Sequence, residues 1–448
     1  MKILRPLRDR DFALLWAGLT VSLIGDGIYL VAIAWQAYDI SNTPSALAVV
    51  GLAWSVGLTL FLLTGGVFSD RMDRRRVMIA ADLVRAAVLT LMGVLAIRGE
   101  LEIWHMVVLV LFYAGGEAFF GPALSALVPD VLKGEQLVQA SALEQLIRQS
   151  CRLLIGPAIG GLLVAAVGAG DAFLFDAATF VVSATAITLM RTRPGPRRPS
   201  GSTVRDEMVV GLQYVRDKRW LWVTFLASSL AMLLFFGPAQ VLLPYIVRTE
   251  LHGDAGDFGL VLAADGAGSM LASILVARRN LPRHYLTVLY GCWASCTLPL
   301  VGYAVASSVW QLMILSALLG AMITIGLIIF VTLQNTRVPG DMRGRIRSVD
   351  LFTSTALAPL SFALTGPATA LLGVQTTLIL AGVTPTILIT TLFFVFRIRQ
   401  EEIPMAGATG PALGTAQLGA DAAPLFGAPA EPAPNGSAAQ RDAAERRL

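Results

Sequence analysis

The stretch "GGVFSDRMDRRRV", residues 65–77, packs charge between two apolar runs. Within residues 70–76 only Met72 is uncharged, whereas the roughly twenty residues on either side are almost all apolar. Helices that cross a bilayer need about 20 apolar residues, and charged residues collect in the loops between them. The stretch therefore predicts a short polar loop between two membrane-spanning helices.

The composition of the whole chain supports a membrane protein. Of its 448 residues, 55% are hydrophobic and 14% charged, against about 25% charged in soluble domains. A soluble fold this apolar would leave large patches exposed. Because the charge is concentrated in loops, the net charge of +4 does not indicate a nucleic-acid partner. The cysteines Cys151, Cys292 and Cys296 lie in apolar runs and predict no disulfide framework.

Twelve stretches have the length and apolar character of a spanning helix. The sequence thus predicts an all-α membrane protein with twelve transmembrane helices. The predicted spans cover residues 12–36, 45–69, 77–98, 104–127, 140–166, 171–190, 221–247, 255–277, 285–306, 309–332, 347–371 and 375–396.

The loop lysines and arginines predict the orientation. If the N-terminus is cytoplasmic, only Arg98 and Arg248 of the loops fall on the opposite side, while all other loop lysines and arginines are cytoplasmic. Cytoplasmic loops are normally rich in these residues. We expect a multi-pass protein of the plasma membrane, the bacterial inner membrane, with both termini in the cytoplasm.

Two repeats divide the chain. "VPDVLKG" at 128–134 is echoed by "VPGDMRG" at 338–344, and "GPA" at 156–158 by "GPA" at 366–368, both offset by 210 residues. Each flanks the fifth span of its half, as expected for parallel six-helix repeats in a transporter. We predict an N-terminal bundle over 1–190 and a C-terminal bundle over 221–400.

The segments outside the bundles have their own composition. Residues 191–220 form a predicted cytoplasmic linker, whose second part places Val204, Met208, Leu212 and Val215 at the spacing of an amphipathic helix on the inner membrane surface. Residues 401–448 are rich in Ala, Pro and Gly and predict a disordered cytoplasmic tail.

The charged loop resembles the signature of the major facilitator superfamily. The resemblance lies in Gly66, Asp70, Arg71, Arg74 and Arg75, although Asp73 stands where the family has glycine. It implies the major facilitator fold of two pseudo-symmetric six-helix bundles.

The same resemblance implies a conformational latch. In the family the aspartate, here Asp70, lies beside the N-terminal end of the eleventh helix, where Arg343 and Arg345 would be added partners. A carboxylate near a helix N-terminus gains about 0.3–1 kcal/mol. Such a contact would favour the outward-open state and break on opening inward; the alternative is that the loop serves only as a topology anchor.

A second motif resembles the exporting branch of the superfamily. "GPAIGG" in span 5, with Gly156, Pro157, Gly160 and Gly161, is similar to the motif of the drug–proton antiporters. Together with "FFGPALSALVPD" at 119–130 and "DLVRA" at 82–86, it resembles the subgroup of macrolide-efflux and enterobactin exporters. The alternative is ordinary packing by small residues.

Ionisable residues inside spans are costly and mark functional cavities. Asp26 and Glu117 lie near the middle of spans 1 and 4, which line the central cavity in this superfamily. Span 5 carries further charges on one face, and a count of depth predicts that Glu117 pairs with Arg148, either statically or in proton coupling. The charged residues of that face are Glu144, Arg148 and Arg152. Asp176 and Asp265 are weaker candidates.

No pattern predicts an enzyme. The lysines Lys2, Lys133 and Lys218 lack the context of a phosphate-binding loop, and no metal motif occurs, so neither cofactor nor metal is expected. We predict a monomeric secondary transporter that uses protons to export an amphiphilic small molecule, such as a drug, an antibiotic or a siderophore. The alternatives are a proton-coupled importer of a small nutrient and a non-transporting sensor or scaffold.

Overall fold

Twelve long apolar helices dominate the computed structural model, which describes residues 2–69, 73–191, 204–278 and 282–402. The part of the chain so described contains no strand, and the twelve predicted spans are confirmed. The helices are α1 (Arg10–Ile40), α2 (Pro44–Ser69), α3 (Arg74–Ile97), α4 (Ile103–Val131), α5 (Gln136–Val167), α6 (Ala169–Thr188), α7 (Arg219–Glu250), α8 (Ala255–Ala277), α9 (Tyr285–Tyr303), α10 (Val309–Arg337), α11 (Met342–Leu372) and α12 (Val374–Val395).

Polar residues in the loops set where helices begin. The side chain of Asp9 accepts hydrogen bonds from the first amides of α1, among them Phe12 N at 3.0 Å. Asp73, the residue that departs from the family's glycine, accepts from Arg75 N at 3.0 Å and so begins α3. Aspartate satisfies amides that have no partner within the helix. The charged loop therefore supplies the residue that caps the start of the next span.

The two sets of six helices form two bundles. In the first, α1 packs on α5 and α6, α3 on α4 and α6, and α2 on α4. In the second, α8 packs on α10, α7 on α11 and α12, and α9 on α10 and α12. Trp104 and Trp310, at the starts of α4 and α10, are 59% and 61% exposed. Exposed tryptophan at corresponding helix starts suits a membrane interface.

The fifth helix of each bundle is interrupted. The helical segment Glu135–Ile147 begins one residue before the α5 span and is joined to Gly156–Val167 by a widened π turn in which Gly156 N donates to Cys151 O. The segment Gly340–Thr355 begins two residues before the α11 span and is followed by Ala358–Leu372; the names α5 and α11 include these first residues from here on. In α5 the interruption lies directly before the repeated "GPA". In α11 it lies at the start of the segment that carries the second "GPA". The halves therefore share a helix plan down to this irregularity.

The halves meet on the side opposite to the termini, here called the far side. α5 packs on α8 from its π turn onward, and α2 packs on the segment Ala358–Leu372 of α11. At the far ends of α1 and α7, Tyr38 donates to Val241 O at 2.6 Å and Arg248 pairs with Asp39 at 2.5 Å.

Near the termini the halves diverge. Within the described residues, the segment Glu135–Ile147 of α5 packs in its own half, including on the N-terminal turn Lys2–Arg8, and makes no extensive contact with α8. The segment Gly340–Thr355 of α11 packs on α7 and on the helix Val204–Asp217 of the linker. The cleft between the bundles thus opens toward the side of the termini.

The linker helix packs on α11 through one side. Val215 is buried, whereas Leu212 is 57% exposed, and the side chains of Val204 and Met208 lie outside the described residues. A Cβ at Gly211 would lie 3.2 Å from Arg345 O. Because glycine allows this close approach to α11, the helix packs through the side of Gly211 and Val215, and its predicted place on the inner membrane surface stays a prediction.

The predicted tail begins too early. Glu401 pairs with Arg219 at 2.6 Å, and Glu402 accepts from Thr287 N at 2.8 Å and lies 2.9 Å from His284. The Glu401 carboxylate binds a cation and the Glu402 carboxylate accepts from an amide in the first turn of α9, and these contacts hold the chain in place up to residue 402. Residues 403–448 lie outside the described residues.

Candidate functional site

The arginines of the charged loop bind within their own bundle. Gly66 lies in α2, while Asp70 and Arg71 fall outside the described residues. Arg74 donates to Ala126 O at 2.7 Å and to Asp130 at 2.8 Å, both on α4.

Arg75 closes the end of α6. Its guanidinium donates to Ile187 O at 2.9 Å and to Thr188 O. These carbonyls lie in the last turn of the helix, where Met190 N also donates to Ile187 O at 3.2 Å, and a cation suits the negative end of the helix dipole. Arg74 and Arg75 therefore connect the start of α3 to α4 and α6 of the same bundle, which agrees with the alternative that the loop serves as a topology anchor.

The predicted partners on α11 are likewise bound locally. Arg343 donates to Val338 O at 3.1 Å, and Arg345 contacts the sulfur of Met342 at 3.5 Å. The latch contact with Asp70 stays a prediction.

The "GPAIGG" motif is where α5 approaches two helices at once. A Cβ at Gly156 would lie 2.7 Å from Gly27 Cα, and one at Gly160 would lie 2.8 Å from Ile28 Cα, both on α1. On the adjacent side, a Cβ at Gly161 would lie 2.9 Å from Gly259 Cα on α8. Such spacing leaves no room for a side chain. The motif thus fixes α5 between its own bundle and the other.

Pro157 belongs to the same junction. It has no N–H to donate to the turn before it, and the π turn Arg148–Ile155 lies directly before it. A Cβ at Gly259 of α8 would contact Pro157 O closely. The proline therefore stands where the helix is widened and where the halves touch.

Glu117 lies at the centre of the first bundle and is held by two donors. Its Oε1 accepts from Arg152 at 3.2 Å and its Oε2 from Trp54 Nε1 at 3.0 Å. The side chains of Glu117 and Arg152 keep 25% and 29% of their surface exposed. The pair is therefore reachable from the cleft rather than sealed in the core.

The predicted pairing of Glu117 with Arg148 is wrong. Arg148 instead pairs with Glu144, one turn earlier on α5, at 3.0 Å. Side chains lean toward the N-terminus of their helix, and α4 and α5 run in opposite directions. Glu117 therefore leans toward the far side, and the arginine that reaches back to it is Arg152.

Asp26 contacts the same centre from α1. The Tyr113 hydroxyl donates to its Oδ1 at 2.8 Å, and Tyr113 stacks on Tyr29 with ring centroids 4.4 Å apart. Asp26 is half-buried, and within the described residues its charge has no ion-pair partner.

A fully buried ion pair lies behind this layer. Asp82 and Arg85 on α3 are 2.5 Å apart, with 0% and 5% of their side chains exposed. The Arg85 guanidinium lies 4.1 Å from the Phe180 ring centroid and 4.8 Å from that of Phe120. The "DLVRA" stretch resembled the family, but nothing in that resemblance indicated an ion pair. An acid and a base three residues apart inside a span lie on one helix face, and this spacing could have predicted the pair.

Asp176 on α6 completes the set. It is buried, its Oδ1 accepts from Thr179 Oγ1 at 3.0 Å, and its Oδ2 has no hydrogen-bond partner among the described residues. A Cβ at Gly25 would clash with this carboxyl group. Asp176 therefore packs against α1 beside Asp26.

The interior of the first bundle thus contains more acids than bases. Four carboxyl groups accompany the guanidiniums of Arg85 and Arg152. They belong to Asp26, Asp82, Glu117 and Asp176. Such a set can exchange protons or bind a cation, but the described residues contain no cluster of three His, Cys, Asp or Glu suited to a metal ion.

The second bundle has sparser interior charge. Asp265 on α8 lies beside Gly320, where a Cβ would be 2.6 Å from its Oδ1. Asp350, nearer the terminal side on α11, accepts from Gln334 Nε2 at 3.0 Å.

Comparison with known proteins identifies the family. Residues 2–413 match the model of the transmembrane secretion effectors, a major facilitator family. The chain is 26% identical over 267 residues to macrolide efflux protein A of Streptococcus pyogenes, covering 59% of this chain and 65% of that protein. It is 25% identical over 406 residues to the multidrug efflux pump Tap of Mycolicibacterium fortuitum, covering 87% and 96%.

Solved structures share the fold. A bacterial homologue of the iron transporter ferroportin, in an inward-facing state, superposes with a TM-score of 0.68 at 15% identity, over 87% of this chain and 98% of that one. A point mutant of the nucleoside transporter NupG gives a TM-score of 0.67 at 11% identity, over 85% and 99%. The expectation of a transporter rather than an enzyme is confirmed, and the chain belongs to the transmembrane secretion effector family of the major facilitator superfamily.

Proposed function

We propose that this transporter is a proton-coupled exporter of amphiphilic small molecules in the bacterial plasma membrane, with both termini in the cytoplasm. The observation that carries the proposal is the excess of carboxyl groups over guanidiniums in the middle of the first bundle. An ionised carboxylate without a cation is expensive there. Proton binding removes that cost, so the protonation state and the conformation are coupled.

With the termini in the cytoplasm, the described conformation is open inward. The far side is held by the Arg248–Asp39 pair and by the contact of Gly161 with α8. A substrate from the cytoplasm or the inner leaflet would enter the cleft in this state and leave after the far side opens. This order of access suits export.

The two walls of the cleft favour an amphiphile. α4 and α5 contribute Glu117 and Arg152, which are partly exposed. In the other bundle α7 carries the half-buried apolar side chains of Met232, Phe235 and Phe236, which we propose as the apolar side of the substrate path. A molecule with one polar and one apolar face matches both walls. The names of the efflux relatives support this substrate class.

Glu117 is the proposed link between substrate and proton. Its carboxylate is shared by Arg152 and Trp54, so a bound substrate that displaces either donor changes the stability of its charge. Asp26, on the other cavity helix, is the second proposed proton-responsive group. Trp54 also offers an aromatic face at this position.

We retain the latch proposal for the opposite conformation. On closing the cytoplasmic side, Asp70 would meet the N-terminal end of α11. Asp70→Asn should then raise the accessibility of cysteines placed in the cytoplasmic part of the cleft and reduce transport, with insertion unchanged. Accessibility equal to that of the unaltered protein would leave only the anchor role.

The proposed function is tested by measuring the direction of transport and its dependence on a proton gradient. In inverted vesicles, a radiolabelled macrolide should accumulate when the lumen is acidified, and it should not accumulate in right-side-out vesicles when the external medium is acidified. A collapsed gradient should stop accumulation. Accumulation in right-side-out vesicles would indicate an importer, and the absence of gradient-driven movement of any tested amphiphile in either preparation would favour a non-transporting role.

A further inference from the structure

The carboxyl groups of the first bundle divide into two kinds. Asp82 is paired with Arg85 and Glu117 with Arg152. Asp26 has a tyrosine hydroxyl as its partner, and Asp176 has a threonine hydroxyl. Both available guanidiniums are thus committed, and two acids remain without a cation.

These two acids are neighbours. The Asp176 carboxyl group occupies the space beside Gly25, the residue that precedes Asp26. No side chain fits at Gly25, so α1 and α6 pack closely there and the two acids lie on facing helices, each hydrogen-bonded to a hydroxyl and not to the other acid. The charges that act electrostatically on Asp176 are those of Asp26, an acid, and Arg85, a base already paired with Asp82.

The other groups around the pair do not supply a free cation. They comprise acids, tyrosines and the two paired arginines. The titratable and charged groups that face it are Tyr29 on α1, Asp82 and Arg85 on α3, Tyr113 and Glu117 on α4, and Arg152 on α5.

We propose that Asp26 and Asp176 form a carboxyl pair that binds the transported proton, with Asp176 neutral in the inward-open state. Asp176 is fully buried and its Oδ2 accepts no hydrogen bond from the described residues, so only its Oδ1, which accepts from Thr179, would compensate an ionised form for the loss of water. A charge on Asp26 nearby also opposes the ionisation of Asp176.

Asp26 gives this pair its access. It is half-buried and lies on a helix that borders the cleft, whereas Asp176 has no exposed surface. A proton from the cleft would bind Asp26 first and reach Asp176 once a side-chain rotation brings an oxygen of each carboxyl group within hydrogen-bond distance. No bond other than O–H is made or broken, and the proton leaves by the same atoms when the cleft faces the other side.

This inference rests on the proposed proton coupling but names a different group from Glu117. It assigns to the Glu117–Arg152 pair the response to substrate and to the Asp26–Asp176 pair the storage of the proton. The two roles can be tested apart, because a stored proton is detectable without transport.

The test is infrared difference spectroscopy on the full-length protein in lipid. A protonated carboxyl group has a carbonyl stretching band that is separate from the bands of carboxylate and that shifts in deuterated water. The unaltered protein should show such a band at neutral pH, and the difference spectrum should show that Asp176→Asn lacks one carboxyl component of it, whereas any component from Asp265 is unchanged. Asp171→Asn, at the exposed start of the same helix, is the matched control and should retain the component that Asp176→Asn lacks.

A second measurement distinguishes loss of the Asp176 carboxyl group from misfolding of the variant. Asparagine is close in shape to a neutral aspartic acid and still accepts from Thr179, so Asp176→Asn should unfold at a temperature close to that of the unaltered protein. Its proton release on addition of a macrolide should be lost, and Asp176→Glu should restore part of it. A carboxyl band of undiminished intensity, or a strongly destabilised Asp176→Asn protein, would overturn the proposal.

The outcomes separate the two proposals. If the carboxyl component is lost in Asp176→Asn but the unaltered protein moves no substrate under a proton gradient, the proton site stands and the exporter proposal fails. If gradient-driven export is normal in Asp176→Asn, the exporter proposal stands and the carboxyl pair is not the proton site.

Discussion

The two bundles repeat one helix plan but differ in what they enclose. The first holds Asp26, Glu117 and two ion-pairing arginines with their acids near mid-membrane, whereas the deep interior of the second has Asp265 as its one charged residue in the described spans. Both have an interrupted fifth helix and an exposed tryptophan at the start of the fourth. Packing is thus repeated across the duplication, while buried charge is not.

This difference suggests a division of work. A buried ion pair is weak evidence for stability, because apolar residues of similar volume often stabilise as well or better. The second bundle folds on the same plan without comparable pairs. The charges of the first bundle are therefore better explained by function than by folding.

The largest expected effect comes from breaking the central pair. Arg152→Ala leaves Glu117 partly buried without its cation, and we expect a loss below the about 3–5 kcal/mol found for fully buried pairs, since both side chains are 25–29% exposed. The double change Glu117→Gln/Arg152→Gln should be less destabilised than Arg152→Ala. Thermal unfolding in detergent measures both.

Arg148→Ala is the matched control for that experiment. It removes the same residue type one turn away, from a pair with Glu144 that is 37% and 30% exposed. It should cost less than Arg152→Ala. A larger loss for Arg148→Ala would restore the pairing that depth counting predicted.

The sequence indicated the presence of these charges better than their partners. Twelve spans, the duplicated halves and the candidates Asp26 and Glu117 follow from apolar length, repeats and isolated charges. Glu117 pairs with Arg152 and not with Arg148 because side chains lean in opposite directions from antiparallel helices and because α5 contains a π turn. Counting residues along a helix takes account of neither effect.

Two further features needed the tertiary structure. Asp176 gains its importance from Gly25 on another helix, and no local pattern places these two residues together. The linker helix packs on α11 through Gly211, a contact that its apolar spacing does not indicate. In both cases a glycine permits an approach that apolar periodicity does not reveal.

A smaller effect is expected at the far-side junction between the bundles. Arg248 pairs with Asp39 and lies 5.2 Å from the ring centroid of Trp35. Because Asp39 is 43% exposed, we expect Arg248→Gln to cost about 0–1 kcal/mol of this contact. Cysteine labelling from outside should rise modestly, with Arg98→Gln as the control. Unchanged labelling would show that the glycine contacts alone hold the far side closed.

Neutralising the deep acid of the second bundle should affect coupling less than neutralising an acid of the first. Asp265→Asn alters the deep acid there, whose Oδ1 has no partner among the described residues. We expect gradient-driven export within about twofold of normal, because the neutral amide keeps the shape of the acid in its contact with Gly320. Loss of proton coupling in Asp265→Asn would remove the proposed asymmetry between the bundles.

The smallest effect is expected from removal of residues 403–448. Glu401 and Glu402, at the end of the described residues, are bound to Arg219 and to the start of α9, and the Ala-, Pro- and Gly-rich composition beyond them predicts a segment of the kind that generally tolerates truncation. Export by the truncated protein should stay within about twofold of normal, measured per transporter by quantitative labelling. A well-expressed truncation that does not transport would give the tail a role.

The most direct test of the central claim compares Glu117→Gln with Asp265→Asn in reconstituted vesicles. Each variant is assayed for gradient-driven accumulation of a macrolide and for counterflow, which exchanges labelled and unlabelled substrate without a gradient. If the first bundle couples protons to transport, Glu117→Gln loses accumulation but keeps counterflow, while Asp265→Asn keeps both. Normal accumulation in Glu117→Gln, or selective loss of accumulation in Asp265→Asn, would contradict the account.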